Sequence, residues 1–312
     1  MKNAIITGAN GFVGSALTRE LLKHNYKIVA LDQVNCYNNL PMDPNVIFVP
    51  CDLAEMTSLK NKVPTIEYDI FFHFAWVGSA GPARADTALQ LQNAQWTIDS
   101  LRTAKELGCK RFVCAGSIME HETMAACYTQ GNRPGMAYIY GGGKLIAHVM
   151  CMSIAVQIGI DLIWPEITNA YGVGEHSPRM VNTTIRKIIN GECPQFTSGT
   201  QNYDFVYIDD VARAFYLIGE NGKPFHEYII GSSTARPLRD FLLEMKFSIA
   251  PNLEFIFGDI PFTGIDLPLE KFDCTATEKD TGFRAEISFA EGTRRTIEWL
   301  KTLEENKNDP KV

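Results

Sequence analysis

Tyr140 and Lys144 stand four residues apart in Tyr140-Gly141-Gly142-Gly143-Lys144. On a helix that spacing puts both side chains on one face. A phenol titrates near 10 in water, too high for a base at neutral pH, and a fixed ammonium beside it favours the phenolate. The pair therefore predicts an acid/base for an alcohol or sugar hydroxyl, and Lys144 can also hold a cofactor ribose. The spacing alone is common. Ser117 adds weight, because it closes the apolar run Arg111-Phe112-Val113-Cys114-Ala115-Gly116. That places it at the carboxyl edge of a strand, where its hydroxyl can bond the same reacting oxygen; the other use of such a serine is a turn or helix cap. Three consecutive glycines in a helix cost roughly 1 kcal/mol each against Ala. Such a cost implies that side chains are excluded there, for close packing against a cofactor or the sheet.

A second constellation lies at the start of the chain: Thr7-Gly8-Ala9-Asn10-Gly11-Phe12-Val13-Gly14, after the apolar run Ala4-Ile5-Ile6 and before a helical pattern with Leu17, Leu21 and Leu22. Strand, glycine turn and helix in this order seat a dinucleotide pyrophosphate on the helix N-terminus. A second strand, Lys27-Ile28-Val29-Ala30-Leu31, ends on Asp32, the acid that a ribose hydroxyl pair needs. Its carboxylate would repel the extra phosphate of NADP. No Arg or Lys occurs in Gln33-Val34-Asn35-Cys36-Tyr37 to neutralise one, so the expected cofactor is NAD.

These residues need a frame. Strands are expected at 3–7, 27–32, 46–50, 69–74, 111–116 and 160–164, and helices near 12–24, 54–62, 86–107 and 140–158. Alternation of this kind predicts an α/β fold, a Rossmann-type doubly wound parallel sheet with helices on both faces, and ligands at the carboxyl ends of its strands. Helical patterns at 178–190, 209–219, 237–247 and 289–303 follow, with short strands between. The expected division is an NAD-binding domain over 1–168, a mainly substrate-binding α/β lobe over 169–304 with segments returning to the first domain, and a charged, frayed tail over 305–312.

The bulk numbers narrow the class. The chain has 312 residues, 46% hydrophobic and 21% charged, with a net charge of −7. An acidic balance argues against nucleic acid as a partner. The chain lacks an uninterrupted apolar run of about 18 residues, so no membrane span is expected, and the first strand begins at once, leaving no room for a signal peptide. The eight cysteines include no Cys-x-x-Cys pair. They read as reduced thiols of a cytoplasmic protein without a metal site.

Taken together, the glycine turn, Asp32, Cys51-Asp52-Leu53, Phe72-His73-Phe74-Ala75-Trp76, Asn93, Ser117, Tyr140 with Lys144, Asn169-Ala170-Tyr171-Gly172, Tyr203 through Ala212 and Thr281-Gly282-Phe283 resemble the extended short-chain dehydrogenase/reductases, the NAD-dependent epimerases and dehydratases of nucleotide sugars. The resemblance implies a cofactor site made by Gly8, Gly11, Phe12, Val13, Gly14 and Asp32. Asp52 with Leu53 would lie at the adenine, and Phe74, Ala75 and Trp76 would line the channel. Asn93 would brace the catalytic strand and helix. The catalytic residues would be Ser117, Tyr140 and Lys144, the last two also meeting the cofactor. Ser117, Asn169, Arg179 and Tyr203 would meet a nucleotide-diphosphate sugar. It also implies a homodimer joined through helices 86–107 and 140–158.

Departures from the family pattern sharpen the expectation. The dehydratase branch resembles Thr-Asp-Glu at the catalytic strand end; here Ser117 is followed by Ile118 and Met119, which move no protons, while Glu120 and Glu122 fall at another offset. Dehydration is therefore not expected. Tyr203 stands where an Arg often precedes Asp-Phe, and a later Arg clamp is replaced by Gly264-Ile265-Asp266-Leu267-Pro268. Arg84, Arg179, Arg186 and Arg236 are the candidate replacements for the diphosphate, since Arg binds phosphate bidentately. The expected activity is a 4-epimerase-type hydride transfer at sugar C4 with Tyr140 as acid/base. The alternatives are reduction of a 4-keto-6-deoxy nucleotide sugar and, in another class, a non-catalytic dinucleotide sensor on the same fold.

Overall fold

The computed structural model describes residues 2–33 and 39–308. The strands are β1 (Asn3–Thr7), β2 (Lys27–Asp32), β3 (Val46–Pro50), β4 (Ile70–His73), β5 (Arg111–Cys114), β6 (Gly116–Ser117), β7 (Asp161–Ile167), β8 (Ala170–Tyr171), β9 (Gln195–Phe196), β10 (Asn202–Tyr203), β11 (Val206–Tyr207), β12 (Glu227–Ile230), β13 (Arg236–Pro237) and β14 (Ile256–Phe257). The α-helices are α1 (Phe12–Lys23), α2 (Thr87–Glu106), α3 (Met119–Tyr128), α4 (Tyr138–Ile158), α5 (Met180–Ile189), α6 (Ile208–Asn221), α7 (Leu238–Ile249), α8 (Thr275–Thr281) and α9 (Phe289–Asn308).

One eight-stranded sheet runs in the order β12-β7-β5-β4-β1-β2-β3, with β6 beside β7, and its pairs are parallel. Successive side chains of a strand face opposite sides, so Ala4 and Ile6 join one apolar core and Ile5 the other. Phe72 and Phe71 divide in the same way. Helices α1 and α6 pack together, as do α2 and α4. The chain order reverses between β1 and β4, and at such a point a doubly wound sheet opens a crevice at its carboxyl edge. Three two-stranded pairs, β8 with β11, β9 with β14 and β10 with β13, lie within residues 170–257.

The expected Rossmann-type sheet is present. Three features depart from the sequence reading. Residues 119–128 form α3, which the reading left out. β12, which lies within residues 169–304, adds an outer strand to the main sheet. Helix α9 continues to Asn308, so the segment expected to fray from Glu304 starts as helix; residues 309–312, with 34–38, lie outside the described residues. By length and composition alone, α4 is apolar enough to cross a membrane. It packs along α2 and α3 and buries Tyr140 and Lys144, while Val149, Met150, Met152 and Val156 on its other side stay exposed.

Candidate active site

The glycine turn follows β1 directly. Gly8 has φ +65°, which suits a residue without Cβ, and a Cβ there would come within 2.8 Å of the Ala75 nitrogen. A Cβ on Gly14 would run into the Gly8 carbonyl, so Gly14 serves the close approach of α1 to the turn. Gly11 is the N-cap of α1, and no side chain caps that terminus. Its first amides are therefore left to an anion. Asp32, at the carboxyl end of β2, accepts from the Asn10 N–H at 2.9 Å and the Gln33 N–H at 2.8 Å, which fixes the carboxylate beside the turn.

A cleft of about 810 Å³ opens over these elements, and its walls include Gly8, Gly11, Phe12, Val13, Asp32, Leu53, Phe74, Ala75, Trp76 and Arg179. The glycine cradle, the uncapped helix end and the acid at one rim fit a dinucleotide. Thr7 holds the far wall: its hydroxyl accepts from the Phe74 and Ala75 N–H groups at 3.2 and 3.3 Å and meets His73 Nδ1 at 2.9 Å. Burial pushes His73 down to about 3, keeping it neutral.

Five expected cofactor residues do not line the cleft: Tyr140 lines the neighbouring cavity instead, Lys144 lines neither, and Gly14, Asp52 and Asn93 serve the frame. Gly14 packs behind the turn. Asp52 caps the helical turn that starts at Leu53, accepting from the Ala54 N–H at 2.9 Å and from Gln33 Nε2 at 2.6 Å. Asn93 pins the loop after β4, accepting from the Val77 N–H at 2.9 Å and donating to the Val77 carbonyl at 2.8 Å. It braces that loop rather than the catalytic strand and helix, because its position on α2 faces the end of β4. The residues 34–37 weighed in the cofactor choice lie outside the described residues.

A smaller cavity of about 170 Å³ shares Ser79 and Arg179 with the cleft and gathers Arg84, Ser117, Glu122, Tyr140, Asn169 and Tyr203. Ser117 enters it from β6. Its hydroxyl accepts from the Met119 N–H at 3.3 Å, while its own N–H donates to Glu120 Oε1 at 3.0 Å. Glu120 is buried and is held further by Trp164 Nε1 at 3.1 Å and His148 Nδ1 at 2.9 Å. Tyr140 is buried, with Trp76 edge-on to its ring and the Arg84 guanidinium 4.6 Å over its centroid. Lys144 is buried too. Its ammonium donates to the Ala115 carbonyl at 2.9 Å and sits 3.9 Å from the centre of the Trp76 ring, so the indole lies over it.

Gln90 was not singled out in the sequence, yet it positions two walls. Its carbonyl oxygen accepts from Trp76 Nε1 at 2.7 Å, and its amide donates to the Gly78 and Ala83 carbonyls. The triple glycine of α4 also has a reason other than the expected one. A Cβ on Gly141 would run into Thr123 of α3, and one on Gly143 would come within 3.0 Å of the Gln90 carbonyl of α2. Neighbouring helices rather than the sheet exclude side chains at Gly141 and Gly143, and Gly142 meets no protein atom within 4 Å.

Of the four candidate arginines, two reach the cavity. Arg179 lies 3.2 Å from Glu175 and borders both spaces. Arg84 has a buried Nε without a hydrogen-bond partner among the described residues. Arg186 pairs with Glu304, and Arg236 pairs with Glu244 over the Phe241 ring. Asn169 donates to the Asp204 carbonyl at 3.0 Å. Burial pushes the Tyr203 phenol up to about 12. Glu122, set aside in the sequence for its offset, stands on the cavity wall, and burial raises it to about 7 against the pull of Arg84.

A doubly wound sheet with a dinucleotide cleft, and a serine, a tyrosine and a helical lysine at its carboxyl edge, define a Rossmann-type short-chain dehydrogenase/reductase. Residues 4–231 match the model of the NAD dependent epimerase/dehydratase family, and the chain belongs to that family, whose cofactor is NAD. It is 24% identical over 323 residues to a trifunctional UDP-glucose 4,6-dehydratase/UDP-4-keto-6-deoxy-D-glucose 3,5-epimerase/UDP-4-keto-L-rhamnose-reductase of Arabidopsis thaliana, covering 96% of this chain and 47% of that protein. The chain thus spans about half the length of that relative. A putative UDP-glucose 4-epimerase of Methanocaldococcus jannaschii is 24% identical, with 95% of this chain and 98% of that one covered. The crystal structure of the Bordetella bronchiseptica enzyme WbmF in complex with NAD+ has a TM-score of 0.76 at 21% identity, covering 98% of this chain and 94% of that one.

Proposed function

We propose that the chain moves a hydride at C4 of a nucleotide-diphosphate sugar, in the manner of a 4-epimerase. The observation that carries this reading is the meeting of Ser117, Tyr140 and Asn169 in one cavity joined to the glycine-turn cleft. Gly8, Gly11 and the first turn of α1 would hold the NAD pyrophosphate, Asp32 its adenosine ribose, and Phe74, Ala75 and Trp76 the wall of its channel. NAD supplies a hydride acceptor and donor. The Tyr140 hydroxyl takes the proton from the sugar O4 and gives it back, and the Ser117 hydroxyl holds the same oxygen. Lys144, fixed by the Ala115 carbonyl, supplies a positive charge beneath the Trp76 ring. Arg84 and Arg179, both on the cavity wall, would give the diphosphate its charge-assisted donors. The outer faces of α2 and α4 leave Leu91, Val149 and Val156 exposed, which suits the expected pairing of two copies.

The test is incubation of the protein and NAD with a panel of nucleotide sugars, following NADH absorbance and product stereochemistry. Formation of the C4 epimer without net NADH change supports the reading. Stoichiometric NADH loss with a 4-keto-6-deoxy sugar transfers the assignment to a reductase. Accumulation of a 4-keto-6-deoxy product from a plain hexose defeats both.

A further inference from the structure

Helix α3 brings a carboxyl group into the sugar-sized cavity that none of the roles above uses. Glu122 lines it with Ser117, Tyr140 and Asn169. Its neighbour Glu120 is spent on Ser117, Trp164 and His148, and His121 lies 2.7 Å from Glu166 and 3.1 Å from Glu227. Glu122 makes no hydrogen bond or ion pair of that kind among the described residues. The charged and titratable groups around it come from every neighbouring element: Arg84 from the turn before α2, Tyr138 and Tyr140 from α4, Tyr203 from β10, and Arg179 at the start of α5.

We propose that Glu122 is a second proton-transfer residue of this site, exchanging a proton on a carbon beside the C4 carbonyl of a bound 4-keto sugar. The proposal rests on reading the cavity as the sugar site. Hydrogens on C3 and C5 of such a ketone are acidified by the carbonyl. The Glu122 carboxylate takes one as a proton. The C–H electron pair becomes the C=C bond of an enolate, and the carbonyl π pair moves onto O4, where the Ser117 and Tyr140 hydroxyls donate to the growing negative charge. Return of a proton to the same carbon closes the cycle, and no oxidant or reductant is consumed. A carboxyl titrating near neutrality is matched to such a task at working pH, and burial with only Arg84 opposing raises Glu122 to about 7. Hydride transfer at C4 leaves the C3 and C5 hydrogens in place, so the two chemistries are separately visible.

The experiment supplies a preformed nucleotide-diphospho-4-keto-6-deoxyhexose, as its uridine and thymidine forms, to the full-length protein with NAD in D2O. Deuterium at C3 and C5 is read by NMR and mass spectrometry. The expected result is enzyme-dependent incorporation that rises with pD through about 7 and falls by about 10² in Glu122→Gln. Thermal shift by NAD verifies that the variant is folded. No enzyme-dependent incorporation, or an equal rate in Glu122→Gln, overturns the proposal. Incorporation by a protein that epimerises no hexose nucleotide at C4 sustains Glu122 and sinks the epimerase reading instead; C4 epimerisation without incorporation does the reverse.

Discussion

Glu122→Gln should stabilise the protein, and by an amount that depends on pH. Burial holds the Glu122 carboxyl at about 7 against an ordinary 4.5, with Arg84 pulling the other way. Each pKa unit is worth about 1.4 kcal/mol, so ionising this side chain costs the folded state about 3 kcal/mol. The folded value lies above the unfolded one. Its favourable contribution is therefore whole below pH 4.5, declines as pH rises from 4.5 to 7, and is gone above that. Gln has the shape of the protonated acid and no proton to lose, so it escapes the decline. At 2 to 4 °C per kcal/mol for a domain somewhat smaller than this one, the variant should melt about 5 °C above the native protein at pH 8 and level with it near pH 4.5. Thermal melts in matched buffers from pH 4.5 to 9, without sugar ligand, decide the matter. A difference in melting temperature that stays flat across this range, or a variant less stable at pH 8, would refute the account of a desolvated carboxyl.

Two further outcomes test the cofactor and acid/base assignments. Asp32→Ala should weaken NAD by roughly 10- to 100-fold, the usual worth of hydrogen bonds to a charged group, and narrow the gap to NADP; native protein that binds NAD and NADP equally in a titration would remove the argument. Tyr140→Phe should lower turnover by roughly 10²–10⁴ while NAD binding by thermal shift persists, and near-native turnover would reject the assignment.

Much of the frame was legible because strand and helix periods leave plain marks. β1, β2 and β3 fall where the apolar runs predict them, since each run is bounded by turn residues. Helix α3 left no such mark. In Met119–Tyr128 only Glu120, Thr123 and Ala126 are buried, so its inward face is largely polar and no apolar stripe announces it. β12 is four residues long and joins the sheet through β7, far back in the chain. The glycines of α4 were visible, but their partners Thr123 and Gln90 lie on other helices, and a single sequence does not say which elements will touch. Arg84 and Arg179 were separated from Arg186 and Arg236 only by tertiary contacts, because Glu304 and Glu244 claim the latter pair.

The same missing helix undoes one exclusion. Ile118 and Met119 stand where a dehydratase carries two acids, and linear offset alone makes Glu122 irrelevant. On a helix, residues three and four apart share a face. Ile118 is the N-cap of α3 and already αR in backbone. Glu122 lies four positions after Ile118 and three after Met119, so one turn of helix returns a carboxyl to the side on which the apolar pair stands. All three border the cavity with Ser117 and Tyr140. The absence of acids at 118 and 119 therefore does not strip the cavity wall of carboxyl groups: Glu122 stands on it, a turn further along. The chemistry open to this chain depends on whether that displaced carboxyl reaches C3 or C5 of the bound sugar. Deuterium exchange reads this directly, whichever way the hydride at C4 is returned.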